Sequence, residues 1–302
     1  MLLKELAHTG VSIPEIGIGT SNYQAGPRLL RQGLEAGALF LDTAESYGTE
    51  GIVGESVKGI RERVFIATKV SPEHFRDADL RRSVDASLMR MGIETIDLLQ
   101  LHYPNPAISI AETIGAMRDL VTAGKVRFIG VSNFSVAELG AARKAAGECA
   151  IVSNQVRYNL IDRTIEKDLL PYCRANGITV IAYTPLARGV GRIEDCDRHG
   201  LLSRIARETG RTPAQVALNW CVSKDGIVAI PMSNSTAHLL ENCAASDWRL
   251  SAKQLALLDT GIEFRHRNRF DQFVRSHMPG RLQGIAAQSL KLLPRGLRRR
   301  LV

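Results

Sequence analysis

The sequence predicts an α/β fold: a (β/α)8 TIM barrel with an N-terminal β-hairpin and a basic C-terminal tail. Eight short apolar runs, starting near residues 16, 39, 64, 96, 126, 151, 178 and 227, are each followed by helical spacing. Runs that do not alternate with polar residues belong to parallel strands buried on both faces. Eight such units within 302 residues match the size of one closed barrel. The alternative, a doubly wound open sheet, is weakened because no G-x-G-x-x-G follows the first run.

Taken in order, Lys4 to Ile13 reads as two short runs around a Thr9-Gly10 turn, hence a hairpin across the barrel bottom. EIGIGT (Glu15 to Thr20) is the first barrel strand, and its glycines leave room for something to approach the backbone. Pro27 to Ala36 is helical and stops at Gly37. LFLDT is the second strand, with Glu50 to Lys58 as its helix. FIATKV (Phe65 to Val70) is followed by a helix over Asp77 to Met91. LLQLHYP (Leu98 to Pro104) ends the fourth strand, with its helix at Ile110 to Thr122. The fifth unit is Val126 to Ser132 with Val136 to Ala146, and the sixth Ile151 to Val156 with Ile165 to Ala175. The seventh strand, Ile178 to Leu186, runs into a Gly-rich loop reaching about Gly200. Leu201 to Thr209 and Pro213 to Ser223 form a helix pair, with Thr212-Pro213 as cap and first-turn proline. Gly226 to Pro231 is the last strand and Thr236 to Ala245 its helix. The expected division is a barrel over 1–262 and a tail over 263–302.

Composition excludes several classes. No run approaches the roughly 18 uncharged residues of a membrane span, and MLLKELAHTG has no signal-peptide pattern. Five cysteines form no C-x-x-C pair and have no clustered histidines, so neither a disulfide framework nor a metal site is expected. A cytoplasmic monomer is the expectation. The net charge of +8 resides in the tail, where ten basic residues face Glu263 and Asp271; the remainder holds 29 of each sign. The body therefore carries no nucleic-acid signature.

Chemistry concentrates at three successive strand ends. Asp42, Lys69 and His102 close theirs, and Tyr47 lies just past the first. In such a barrel, polar residues at the C-terminal strand ends are catalytic candidates. A free tyrosine titrates near pH 10; a neighbouring lysine would lower that value, and an aspartate would hold the lysine charged. A neutral histidine would orient a substrate carbonyl. Singly, each has a structural reading as an ion pair or core hydrogen-bonder; four together point to a proton-handling site.

These residues sit in LDTAESYGTE, FIATKV and LLQLHYP. With IGVSNFS, NQVRYN, AYTPLARG, RTPAQVALNW and IPMSNSTAHLLEN they form an ordered series. From about Lys4 to Leu258 the chain resembles the aldo-keto reductases. The resemblance implies hydride transfer from a reduced nicotinamide to an aldehyde or ketone, the small-molecule substrate. Tyr47 would be the general acid, Lys69 and Asp42 would tune it, and His102 would orient the carbonyl. Ser132, Asn133 and Gln155 would hold the carboxamide and Tyr183 would stack on the nicotinamide. Gly19 and Thr20, then Thr184, Pro185 and Leu186, would line the cofactor. Ile230, Pro231, Ser233, Asn234, Ser235, His238 and Asn242 would follow its adenosine half. Ser21, Tyr23 and Tyr103 would face the substrate. Two of these assignments have plain alternatives: Ser132-Asn133 as a cap of the next helix, and Tyr183 as core.

Three departures from the family pattern stand out. Met232 and His238 occupy the positions of a usual lysine and a frequent arginine that clamp a 2′-phosphate. NADP is the expected cofactor, with NAD or dual use plausible. Ser21 and Tyr103 replace tryptophans, which should widen and wet the pocket. The C-terminal loop that closes the pocket in longer members is not recognisable after Thr260; in its place a basic tail ends PRGLRRRLV after IAAQSLKLL (Ile285 to Leu293). It reads as solvated and largely disordered, with contact to an anionic surface or a fold-back of its arginines onto the missing phosphate clamp as alternatives. The tail motivates an alternative, a non-enzymatic nicotinamide-nucleotide-binding regulatory subunit. A Schiff-base enzyme using Lys69 is a third class.

Overall fold

In the computed structural model, which describes residues 1–264, the eight apolar runs pair as one parallel sheet in sequence order. Its strands are β3 (Ile18–Gly19), β4 (Phe40–Asp42), β5 (Phe65–Val70), β6 (Ile96–Leu101), β7 (Val126–Ser132), β8 (Ile151–Arg157), β9 (Thr179–Tyr183) and β10 (Ile227–Ile230). The sheet closes on itself through a parallel bridge between Ile16 and Ala229. Gly17 N–H donates to the Ala229 carbonyl at 2.8 Å, and Gly19 N–H to that of Pro231 at 3.1 Å. Here the glycines of EIGIGT find their use. A Cβ on Gly19 would lie 2.8 Å from the Ile230 carbonyl oxygen, and one on Gly17 would strike the Phe40 ring. What approaches that backbone is the last strand and a core ring, not a visitor from outside.

The hairpin, β1 (Leu3–Glu5) with β2 (Ser12–Pro14), is antiparallel. Leu6 and Ile13 from it are fully buried with Phe40, Phe65, Leu98, Val152, Ile181 and Val228, plugging the barrel interior. A second core fills the layer between strands and helices. The helices are α1 (Pro27–Glu35), α2 (Glu50–Val57), α3 (Asp77–Met91), α4 (Ile110–Thr122), α5 (Val136–Ala146), α6 (Leu169–Ala175), α7 (Gly191–Glu194), α8 (Leu201–Thr209), α9 (Pro213–Val222), α10 (Thr236–Cys243) and α11 (Ala252–Gly261).

Two helix expectations need correction. The helix expected over Ile165 to Ala175 is a 3-10 turn, Thr164–Glu166, followed by α6. Pro171 would have been interior to the longer helix, where it lacks an N–H and clashes; with Asp168 as N-cap it falls in the first turn, where it is tolerated. Helix α11 was not expected at all. Its signal is a capping box between Ser251 and Gln254. The expected Gly-rich loop before Gly200 also contains the short helix α7. The tail from residue 265 onward, including Ile285 to Leu293, lies outside the described residues. No helix among the described residues is long and apolar enough to cross a membrane.

Candidate active site

Alternate residues of a strand share a face. Phe40, Phe65, Ala67, Leu98 and Ile181 fill the barrel interior. The same inward columns therefore deliver Asp42, Lys69, Gln100 and Tyr183 one or two steps nearer the C-terminal mouth, and Ser153, Gln155 and Arg157 rise beside them on β8. His102 follows β6 directly. Tyr47 ends a 3-10 turn, Glu45–Tyr47, that Gly48 closes with φ +69. The turn is tied down by Glu45, whose carboxylate accepts the Ser71 N–H at 2.6 Å, His74 Nδ1 at 3.0 Å and the Ser83 hydroxyl. Those three bonds outweigh the effect of burial and keep Glu45 below the usual carboxylate range.

The four expected groups do meet. Lys69 Nζ donates to Asp42 Oδ1 at 2.6 Å and to the Thr43 carbonyl at 2.7 Å, with both side chains almost fully buried. Asp42 Oδ2 accepts Gln155 Nε2 at 2.7 Å and Gln100 Nε2 at 3.4 Å. Tyr47 Oη lies 3.3 Å from His102 Nε2, their rings edge to face. Behind His102, Tyr103 stacks at 4.9 Å.

The electrostatics correct one expectation. Burial first, then the charges of Asp42 and Tyr183, push the Tyr47 phenol well above its ordinary value; a bond from Ser21 opposes them. The net direction is thus opposite to the expected lowering, with burial its largest cause; the Lys69 ammonium lies over the ring, 5.0 Å from the centroid, and is held by Asp42. Burial draws the Lys69 ammonium below its usual value while Asp42 resists. Burial and the Lys69 charge take His102 down to about 3, so its imidazole is neutral throughout the physiological range.

On the neighbouring strands, Ser132 Oγ–H and Asn133 N–H both donate to the Gln155 carbonyl, at 2.8 and 2.9 Å. Asn133 adopts φ +64. Its amide donates to the His102 carbonyl (3.1 Å) and to Ser132 Oγ (3.0 Å), and it accepts the Tyr183 hydroxyl (3.0 Å). Neither residue caps the next helix; Ser135 does, in a capping box with Glu138. Tyr183 is half-buried, one side of it packed against the barrel-interior core. Beyond it, Thr184, Ala187 and Arg188 take positive φ (+54, +55, +69). For a β-branched threonine that conformation is costly, and such strain gathers at ligand-binding loops.

Several expected cofactor residues are already committed within the protein. The Thr20 hydroxyl is fully buried, bonded to the Asp42 carbonyl and to Thr49. Asn234 Oδ1 accepts the N–H groups of Gln24 (2.8 Å) and Ala25 (3.3 Å), tying the loop after β3 to the loop after β10. Ser233 and Ser235 bond each other. Ile230, Pro231, Pro185 and Asn242 are buried, Leu186 is half-buried, and Met232 and His238 are exposed. Of the expected substrate residues, Ser21 and Tyr103 reach the mouth region. Tyr23 does not: it is packed in the outer core against α1, its hydroxyl donates to Gly26, and burial raises it to about 12.

Gln100, Glu45, Thr43 and Arg157 went unread in the sequence. The period of two would have found Gln100, two residues before His102, and Arg157, two after Gln155. A cavity of about 280 Å³ lies at the opposite end, lined by Lys4, Thr179 and Asp225. Its ammonium is spent on the carbonyls of Val222, Lys224 and Ile227 at the end of α9.

Comparison with known proteins agrees with this geometry. The model of the Aldo/keto reductase family matches residues 14–263. Methylglyoxal reductase YeaE of Escherichia coli (strain K12) is 38% identical over 264 residues, covering 82% of this chain and 91% of that protein. Among solved structures, the thermostable aldo-keto reductase Tm1743, in complex with epalrestat, superposes with a TM-score of 0.80. It is 39% identical over 86% of this chain and 99% of its own. An aldo-keto reductase from Klebsiella pneumoniae in complex with NADPH gives a TM-score of 0.81 at 36% identity, with 88% and 98% covered.

Proposed function

The chain belongs to the aldo/keto reductase family, and we propose that it reduces small aldehydes or ketones to alcohols, with NADPH as the preferred reductant. The observation that carries this reading is the bonded set at the barrel mouth. Tyr47 faces His102, while Lys69 lies over the phenol ring and is held by Asp42.

The residues present suit a nicotinamide. Gln155 gives its Nε2 to Asp42, and its Oε1 accepts no bond from the described residues. Beside it stands the half-buried ring of Tyr183, pinned through its hydroxyl. A free amide acceptor next to a fixed aromatic face matches a carboxamide on a flat ring. When bound, the reduced nicotinamide supplies the hydride for the carbonyl carbon. Ser132 and Asn133 fix the Gln155 backbone, and the strained Thr184 to Leu186 turn would follow the pyrophosphate. Around the adenosine, Met232 offers no charge to a 2′-phosphate. With Ser233 and Ser235 bonded to each other, the amide end of α10 remains as a donor, so NADH should also be accepted.

The proton follows from the same geometry. His102, neutral and half-buried, orients the carbonyl oxygen toward the Tyr47 hydroxyl. The phenol, held protonated by its surroundings, gives its proton to that oxygen as alkoxide character develops; an alkoxide is a stronger base than a phenolate. Lys69, over the ring, stabilises the phenolate left behind, and Asp42 keeps Lys69 in place. The name of the Escherichia coli relative makes methylglyoxal a reasonable first substrate.

The test is an aldehyde and ketone panel, including methylglyoxal, assayed with NADPH and NADH for wild type and Tyr47→Phe. Wild type should turn over, and the variant should lose roughly 10²–10⁴-fold in kcat with nucleotide affinity retained. No turnover of any compound, or a fully active variant, would refute the reading.

A further inference from the structure

We infer that Arg157 sets the preference of this site for the reduced, uncharged nicotinamide over the oxidised, positively charged one, acting through the ring of Tyr183. The inference rests on the proposed role of Tyr183 as the face on which the nicotinamide lies.

Arg157 is the last residue of β8, in register with Tyr183 on β9. It continues the inward column of Ser153 and Gln155, both bonded to other interior residues. Its guanidinium carbon lies over the Tyr183 ring, 5.6 Å from the centroid. Its Nε is buried without a hydrogen-bond partner. Among the described residues no carboxylate forms an ion pair with it, whereas the nearby barrel cation Lys69 has Asp42 at 2.6 Å. Among the described residues the charge of Arg157 thus has no carboxylate partner against one face of a half-buried ring, where solvent screens it incompletely.

Such a cation polarises the ring and holds it by a cation–π contact. It also acts on whatever lies across the ring. A neutral reduced nicotinamide feels little of its field. The oxidised nicotinamide carries a positive charge and is repelled, so it should bind less tightly and leave more readily. Across the thickness of two stacked rings in a half-solvated site, this repulsion corresponds to roughly fivefold in affinity. The cation would therefore favour release of the spent cofactor after reduction. This is an effect of charge, so a lysine should preserve it and a neutral side chain should not.

The experiment is fluorescence titration of wild type, Arg157→Met, Arg157→Gln and Arg157→Lys with NADPH and NADP⁺ under identical low-salt conditions. The measured quantity is the ratio of the two dissociation constants in each protein, which does not depend on turnover. Both neutral variants should narrow the preference for the reduced form by about fivefold, chiefly by tightening NADP⁺. Arg157→Lys should stay within about twofold of wild type, and 0.5 M salt should shrink the difference. An unchanged ratio in both neutral variants overturns the inference, as does an equal change in Arg157→Lys, which would show that shape rather than charge matters. If wild type binds both forms yet none of the ratios moves, this inference alone fails. If wild type binds neither form, the reductase reading falls with it.

Discussion

Replacing Lys69 with methionine would strip the one cation that the described residues pair with Asp42, a carboxylate that is almost fully buried. In the wild type, Asp42 Oδ1 receives Lys69 at 2.6 Å, while Oδ2 receives Gln155 at 2.7 Å and Gln100 at 3.4 Å. After Lys69→Met only the two neutral amides remain. Removing one member of a buried ion pair costs about 3–5 kcal/mol, because the other charge is left uncompensated. The two amide bonds are made with or without Lys69 and offset none of this. A loss of roughly 3–5 kcal/mol follows, which for a barrel of this size is about 6–20 °C in Tm. Asp42→Asn in the same protein removes the orphaned charge and keeps an acceptor for the amides. The double variant should therefore be more stable than Lys69→Met alone, with a coupling energy of about 2 kcal/mol. Urea and thermal unfolding of wild type, both single variants and the double, at neutral pH, measure that coupling. Activity should stay low in all three variants, which separates the stability term from the chemistry. If Lys69→Met costs under about 0.5 kcal/mol, or the two substitutions simply add, the pair is not the buried, mutually dependent unit described above.

Three further outcomes are expected. His102 binds its proton near pH 3 in the fold against about 6.5 in the unfolded chain. The unfolded state thus holds more protons in that window, and stability falls as pH drops from 6.5 toward 3. By pH 5 the loss is about 2 kcal/mol, and His102→Gln should remove it from urea titrations; parallel pH slopes would rule the assignment out. Arg163, 2% exposed, stacks on Trp220 at 4.8 Å and donates to the carbonyls of Leu160, Leu258 and Asp259. Arg163→Met should cost about 3 kcal/mol or more and speed hydrogen exchange in α11, whereas unaltered exchange there would deny it the role of anchor. Gln155→Leu should weaken nucleotide binding about tenfold and also depress kcat, since it removes a bond to Asp42; a change confined to the dissociation constant would show that Asp42 does not join the two sides.

The legible parts of the chain were those where one physical rule acts alone. Continuous apolar runs can only be two-sided strands, and so every barrel strand was placed near its observed start. The strand-end groups were legible because four of them fall together at successive strand ends, although each alone has a structural account. Rules in competition were harder to read. The apolar spacing from Ile165 suggested one helix, while Pro171 and the cap at Asp168 imposed a later start. Tyr23 carried a hydroxyl near a presumed pocket, yet α1 folds over it and buries it. The direction of the Tyr47 shift was missed for a related reason. Residue identity gives the presence of Lys69, whereas the sign is set first by the burial of the phenol and then by the charge of Asp42.

The arrangement centres on Asp42 more than on the acid itself. One of its oxygens fixes the ammonium over the phenol ring, and the other fixes the amide beside the Tyr183 ring. The proposed proton donor and cofactor platform are thus both referred to a single short strand, Phe40–Asp42, which lies between the seam strand β3 and β5. The Asp42 carbonyl is also taken, by the N–H and hydroxyl of Thr20, so the residue cannot shift without opening the barrel next to its closure. A carboxylate held by its backbone on one side and by three donors on the other can place two reacting groups relative to each other with little freedom. That explains why the pair is buried despite the cost of desolvating both charges. Its value here is geometric, and a hydrophobic replacement that packed equally well would keep the barrel and lose the site.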